Sequence, residues 1–134
     1  MISGSRFFFL FGDLARLQNA VVQFSLNAAQ DPAVIQQIIK EKNLSIDPKP
    51  FTLVVPPLII SQETMQKMGR LHPKDDRYCL DEDNQVLVGS AEHCLGPIHM
   101  DETIAEADLP IRYIAFTAAL EEKQEVTEKI QEVF

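Results

Sequence analysis

The sequence predicts an α+β fold: an antiparallel sheet with helices on one face. Three observations carry that expectation. Runs of strand-forming residues near Phe7, Phe51, Arg77, Val86 and Ile111 are set off by Gly, Pro, Asn or Asp. Other segments place apolar residues at every third or fourth position, which makes one face of a helix. The hydrophobic share is 46%, enough for a core and too high for a disordered chain, and 134 residues suit a single domain over positions 1–134.

Taken in order, residues 7–9 form an aromatic run that favours a strand, and Gly12-Asp13 ends it. Asp13 is suited to cap a helix whose apolar face is Leu14, Leu17, Val21, Phe24 and Ala28. Asp31-Pro32 starts a second helix: a capping carboxylate, then Pro at the first helical position. Its stripe is Val34, Ile35, Ile38 and Ile39, and it stops near Asn43. Asp47-Pro48-Lys49-Pro50 is a stiff, extended connector, because each Pro pushes its predecessor out of the helical region.

Residues 51–55 are strand formers interrupted by Pro56-Pro57, which restricts that strand to an edge or breaks it. Residues 61–68 form a short helix capped by Ser61, with Glu63 in the first turn and Gly69 at the end. A polar loop follows. Residues 77–80 and 86–88 then pair as a hairpin around the acidic turn Asp81-Glu82-Asp83-Asn84. Gly89 breaks the second strand, and Ser90-Ala91-Glu92 starts a helix. An acidic connector, 101–108, leads to Leu109-Pro110 and a last strand, 111–117. The tail, 120–134, is an amphipathic surface helix with Val126, Ile130, Val133 and Phe134 on one face.

Composition excludes several functions. The net charge is −8, from 20 acidic and 12 basic residues, with no cluster of Lys and Arg for phosphate binding, so a stand-alone nucleic-acid binder is not expected. The apolar run 7–11 is too short to span a bilayer and has no signal-peptide pattern, which points to a soluble, cytoplasmic protein away from membranes. Cys79 and Cys94 form no CxxC and read as reduced thiols. His93 and Cys94 beside Glu92 suggest a metal, but adjacent ligands on one short segment do not converge, so no metal site is expected. Ser90, His93 and Asp101 name a triad without a nucleophile elbow. Asp75-Asp76 and Asp101-Glu102 read as solvated turns. No phosphate-binding loop occurs.

The stretch 85–119 displays a hydroxyl and a carboxylate two residues apart at the end of a strand, an arrangement suited to a small zwitterion. Ser90-Ala91-Glu92, the acidic connector and Asp108-Leu109-Pro110-Ile111-Arg112-Tyr113 together resemble the seryl-tRNA synthetases, a class II family. That family carries Thr-Ala-Glu, an acidic connector and then DLP in this order. Upstream, Ser3-Gly4-Ser5-Arg6-Phe7 and Gly12-Asp13-Leu14-Ala15 fit the same pattern. Pro57 matches the Pro that ends the first class motif, which builds the dimer interface; Lys49 matches a basic position, and Pro50 stands where Gly is usual.

The resemblance implies a partial class II catalytic domain and the activity of a serine–tRNA ligase. Serine is activated by ATP with Mg²⁺ and passed to tRNA(Ser), in a cytoplasmic homodimer. Ser90, Ala91 and Glu92 would line the serine pocket, with Glu92 near the ammonium. The pattern breaks after Ala119. The family continues with an Arg that holds the α-phosphate, whereas Leu120-Glu121-Glu122-Lys123 stands here. A segment is inferred to be missing between Ala119 and Leu120, and the third class motif and the tRNA-gripping helical hairpin have no counterpart. ATP handling is therefore expected to be impaired. Two other readings follow: a non-catalytic synthetase paralogue serving as a dimerising or regulatory module, and an amino-acid ligase charging a carrier protein.

Overall fold

The computed structural model describes residues 7–121. The expected tail helix does not begin at Leu120 and Glu121, which are not helical and bond back to Val88 and Arg77, and the rest of it and the Ser3–Arg6 part of the motif lie outside the described residues. The backbone divides into two compact units, with the boundary between Leu53 and Val54.

The first unit is built on α1 (Asp13–Gln30) and α2 (Pro32–Glu41), followed by β1 (Thr52–Leu53). Gly12 precedes α1 with φ of 56°, a left-handed conformation open to glycine. Asp13, expected as the cap, is instead the first helical residue. The second helix starts as its sequence predicts. The Asp31 side chain accepts the Ala33 N–H at 2.8 Å and Pro32 follows at the first position. Asn43, at φ of 50°, lies just past its end. The Phe51 N–H donates to the Ala29 carbonyl at 3.0 Å and ties the extended connector back to α1. The apolar stripe of α1 is exposed, from Val21 at 55% to Phe24 at 74%. Residues 7–9, expected as a strand, form none. Aromatic residues favour strands by packing on a pleated surface, and these three remain exposed without a paired neighbour.

The second unit holds a three-stranded antiparallel sheet in the order β2 (Ile59–Ser61), β4 (Gln85–Leu87), β3 (Cys79–Leu80). Cys79 faces Val86 and Leu80 faces Gln85, so the hairpin forms as its sequence predicts. Its turn, 81–84, closes on Asn84 in the left-handed region. The five-stranded sheet is corrected in one respect. Of the expected strands, only those near Arg77 and Val86 enter this sheet, and the third comes from after the Pro pair. Ile59 pairs with Leu87 and Ser61 with Gln85. Neither Pro56 nor Pro57 supplies an N–H, so the ladder begins only beyond them. β5 (Tyr113–Ile114) is a two-residue strand outside this sheet.

The helix α3 (Gln62–Lys67) starts on Ser61, whose Oγ accepts the Thr64 N–H at 3.1 Å, and ends before Gly69 at φ of 69°. It presses Met65 onto the sheet, where Met65, Leu71 and Val86 form the core, flanked by Ile60, Met68 and Cys79. This sheet-and-helix layer, an α+β arrangement, supports the turn from β4 into α4 (Glu92–Leu95).

Candidate functional site

The turn at the end of β4 is held from below. Val88 is buried, and its N–H donates to the Leu58 carbonyl at 2.9 Å. Gly89 follows, also buried, and donates its N–H to His93 Nδ1 at 3.1 Å. That bond assigns His93 as the neutral imidazole with its proton on Nε2. Burial holds the His93 pKa below its ordinary value, and the positive charge of Arg77 lowers it further. The next residue, Cys94, is buried as well. Its Sγ lies 3.2 Å from the Pro57 carbonyl, and burial pushes its pKa up, so it is a thiol donating to that oxygen. The turn is thus pinned by one imidazole and one thiol, both pointing inward.

The three residues expected to meet serine sit on this platform. Ser90 and Ala91 are half-buried, and Glu92 is exposed. Ser90 does not cap α4 with its side chain; the helix is entered through Ala91. The Glu92 side chain is 70% exposed, and its Oε1 accepts from Arg70 Nη2 at 3.1 Å. Glu92 therefore points outward towards a guanidinium. Pro57 is brought to the same place by its carbonyl's contact with Cys94.

Two clusters here were not foreseen from the sequence. Arg77 donates from Nε to the Arg70 carbonyl at 3.1 Å and from Nη1 to Glu121 Oε1 at 2.5 Å. These partners are 44 residues apart in the chain, a distance over which no sequence pattern announces a pair. His99 joins Glu102, with Nδ1–Oε2 at 2.7 Å, to Tyr113, with Nε2–Oη at 2.8 Å. With the carboxylate accepting, Nδ1 carries a proton, and the Tyr113 hydroxyl holds the opposite edge of the ring. The cluster fastens the acidic connector to β5. The i, i+3 spacing of His99 and Glu102 was a local signal for half of it. Ser90, His93 and Asp101 are not brought together: the Nδ1 of His93 is taken by Gly89 and Asp101 pairs with Lys67 at 3.4 Å. Among the described residues no group of three metal-ligating side chains converges, and no helix is long and apolar enough to cross a membrane.

No family model matches the chain. Curated relatives do. A "Serine--tRNA ligase" of Thermosipho africanus is 35% identical over 119 residues, covering 87% of this chain and 24% of the relative. One from Cutibacterium acnes is 34% identical over 117 residues, with the same coverage. The chain is homologous to one segment of the serine–tRNA ligases.

The chain spans about a quarter of the length of these ligases (24%). A seryl-tRNA synthetase from Pyrococcus horikoshii complexed with ATP superposes with a TM-score of 0.66 at 26% identity, covering 90% of this chain and 24% of that one. A cytoplasmic serine–tRNA ligase from Naegleria fowleri in complex with AMP shares the fold, with a TM-score of 0.68 at 20% identity. The α+β arrangement is thus that of part of a seryl-tRNA synthetase. A serine–tRNA ligase match covering 87% of the chain necessarily includes the turn from β4 into α4.

Proposed function

We propose that this segment carries one half of a serine-binding site of the serine–tRNA ligase type. The observation that carries the reading is the turn at Gly89, inside the matched region, which presents Ser90 and Glu92 on a platform locked by His93 and Cys94. The Ser90 hydroxyl is offered to the ligand, and the Glu92 carboxylate receives its ammonium by exchanging its contact with Arg70. Ala91, between them, keeps the surface shallow. In the activity proposed for the whole ligase, a serine carboxylate oxygen attacks the α-phosphorus of ATP and pyrophosphate leaves to give seryl-adenylate; a terminal ribose hydroxyl of tRNA(Ser) then takes the seryl group and AMP leaves. Mg²⁺ would be carried on the ATP phosphates. The exposed stripe Leu14, Leu17, Val21 and Phe24 supports a homodimer, with Pro57 in its motif. A cytoplasmic location belongs to the same proposal.

Serine binding by calorimetry, paired with serine-dependent ATP–pyrophosphate exchange, tests this. Serine should bind the wild-type chain and be lost with Glu92→Ala; unchanged affinity would remove Glu92 from the site. A second reading is a non-catalytic dimerising or regulatory module. It is favoured by Glu121, an acid beside the turn where the family has a phosphate-holding Arg. Exchange activity would exclude it, whereas serine binding without exchange would support it.

A further inference from the structure

Among the described ion pairs, Arg77 has the least exposed charged side chain, at 13%. Its carboxylate partner is Glu121, delivered by the backbone. Leu120 N–H donates to the Val88 carbonyl at 3.0 Å, and Arg77 and Glu121 form an antiparallel bridge. The Glu121 side chain lies directly over Gly89. A Cβ built on Gly89 would collide with its Cγ, Cδ and Oε1. The space left by the absent side chain at Gly89 is therefore the space the Glu121 carboxyl group fills. His93 beneath is neutral and adds no charge of its own. Arg77 also borders an open groove of ≈550 Å³ with Lys74, Tyr78 and Leu87.

A nearly buried guanidinium, a recess shaped by a missing Cβ and a carboxylate seated in it are the parts of an oxyanion site already occupied. We propose that Arg77 is an oxyanion-binding residue and that Glu121 is its internal competitor, filling the place of a ligand's carboxylate or phosphate. Arg–carboxylate and Arg–phosphate contacts share one geometry, so either group suits the recess. The proposal deepens the serine reading and rests on it only for the identity of the ligand. Arg70 touches both Arg77 and Glu92, so an amino acid would place its carboxylate at Arg77 and its ammonium at Glu92.

The test follows the Arg77 Nε–H resonance in the full chain while acetate or inorganic phosphate is added. In Glu121→Gln, a neutral side chain of the same length, the anion should bind at least tenfold more tightly than in wild type. Arg77→Met in that background should abolish the effect, with the fold of each variant checked by its amide spectrum. Saturation by acetate at lower concentration than phosphate assigns a carboxylate ligand, and the reverse a phosphate. Equal binding by wild type and Glu121→Gln, or binding that survives Arg77→Met, overturns the proposal. Serine titrations separate it from the reading above. Serine binding that needs Glu92 but ignores Glu121→Gln overturns the competitor and keeps the serine site. Anion binding at Arg77 with no response to serine does the opposite.

Discussion

At the scale of single residues, His93 holds the site together. Its Nδ1 is the acceptor for the buried Gly89 N–H, at the point where strand becomes helix. A buried donor without a partner costs about 1–3 kcal/mol, so His93→Phe should lower the unfolding free energy by roughly that amount in urea denaturation. Protonation removes the same acceptor. The folded-state pKa of His93 lies below the unfolded value, because burial and then Arg77 disfavour the imidazolium. The folded chain therefore binds fewer protons than the unfolded one in the window just below the unfolded value of about 6.5. The His93 contribution to stability is fully present above about pH 6.5 and is lost as pH falls through the folded pKa. Melting curves should show a fall on acidification below that point in wild type, and a shallower one in His93→Phe. A variant with the wild-type slope would exclude His93 as the source. None of this was legible in the sequence, where His93 offered only a metal reading that its neighbours do not support. Its role depends on which way the ring faces.

At the scale of elements, α3 shows why local signals worked where they did. A six-residue helix is too short to persist on its own, so its ends and its buried face decide its existence. The end is local: Ser61 Oγ accepts the Thr64 N–H and also donates to Thr64 Oγ1 at 2.8 Å. Ser61→Ala should cost about 1 kcal/mol by denaturant unfolding, and Ser61→Asp should restore most of it. The buried face is not local. Gln62 donates to Asp81 Oδ1 at 2.9 Å and to the Gln85 carbonyl at 3.2 Å, and accepts from Lys74 Nζ at 2.8 Å. That network joins α3 to the hairpin turn, and the hydrogen bond from Gln62, then Lys74, holds the Asp81 carboxyl below its usual range. The strands fared less well than the helix ends. Residues 7–9 have the right composition but form no strand, whereas Ile59–Ser61, just behind two prolines, pair into the sheet.

At the scale of the molecule, the core formed by the described residues is small and lies in the second unit. Met65 and Val86 are fully buried, and Leu71 closes the cluster from the loop after α3. Because so few side chains carry the packing, each one matters. Met65→Ala should cost about 2–5 kcal/mol and release the platform under the Gly89 turn along with the sheet. Amide exchange should then speed up in β2, β4 and α4 together, whereas loss of protection confined to α3 would show that the sheet stands without it. The first unit differs in kind. Its second helix has a well-capped start, but the main apolar stripe of α1, Leu14 to Phe24, remains exposed. Such a face is what a partner surface would cover, as the homodimer proposal requires.

The helix caps at Asp31 and Ser61, the turn at Asn84, the hairpin and the order of the Ser-Ala-Glu and Asp-Leu-Pro motifs were determined by the sequence alone. Each rests on groups within a few residues of one another, or on a pattern carried along the chain. Only the tertiary structure decided that His93 faces inward to Gly89, that Glu92 faces outward to Arg70, and that Glu121 seats on Arg77 over a missing Cβ. Those contacts join segments far apart in the chain or depend on side-chain direction, and neither separation nor direction leaves a period or a spacing to read.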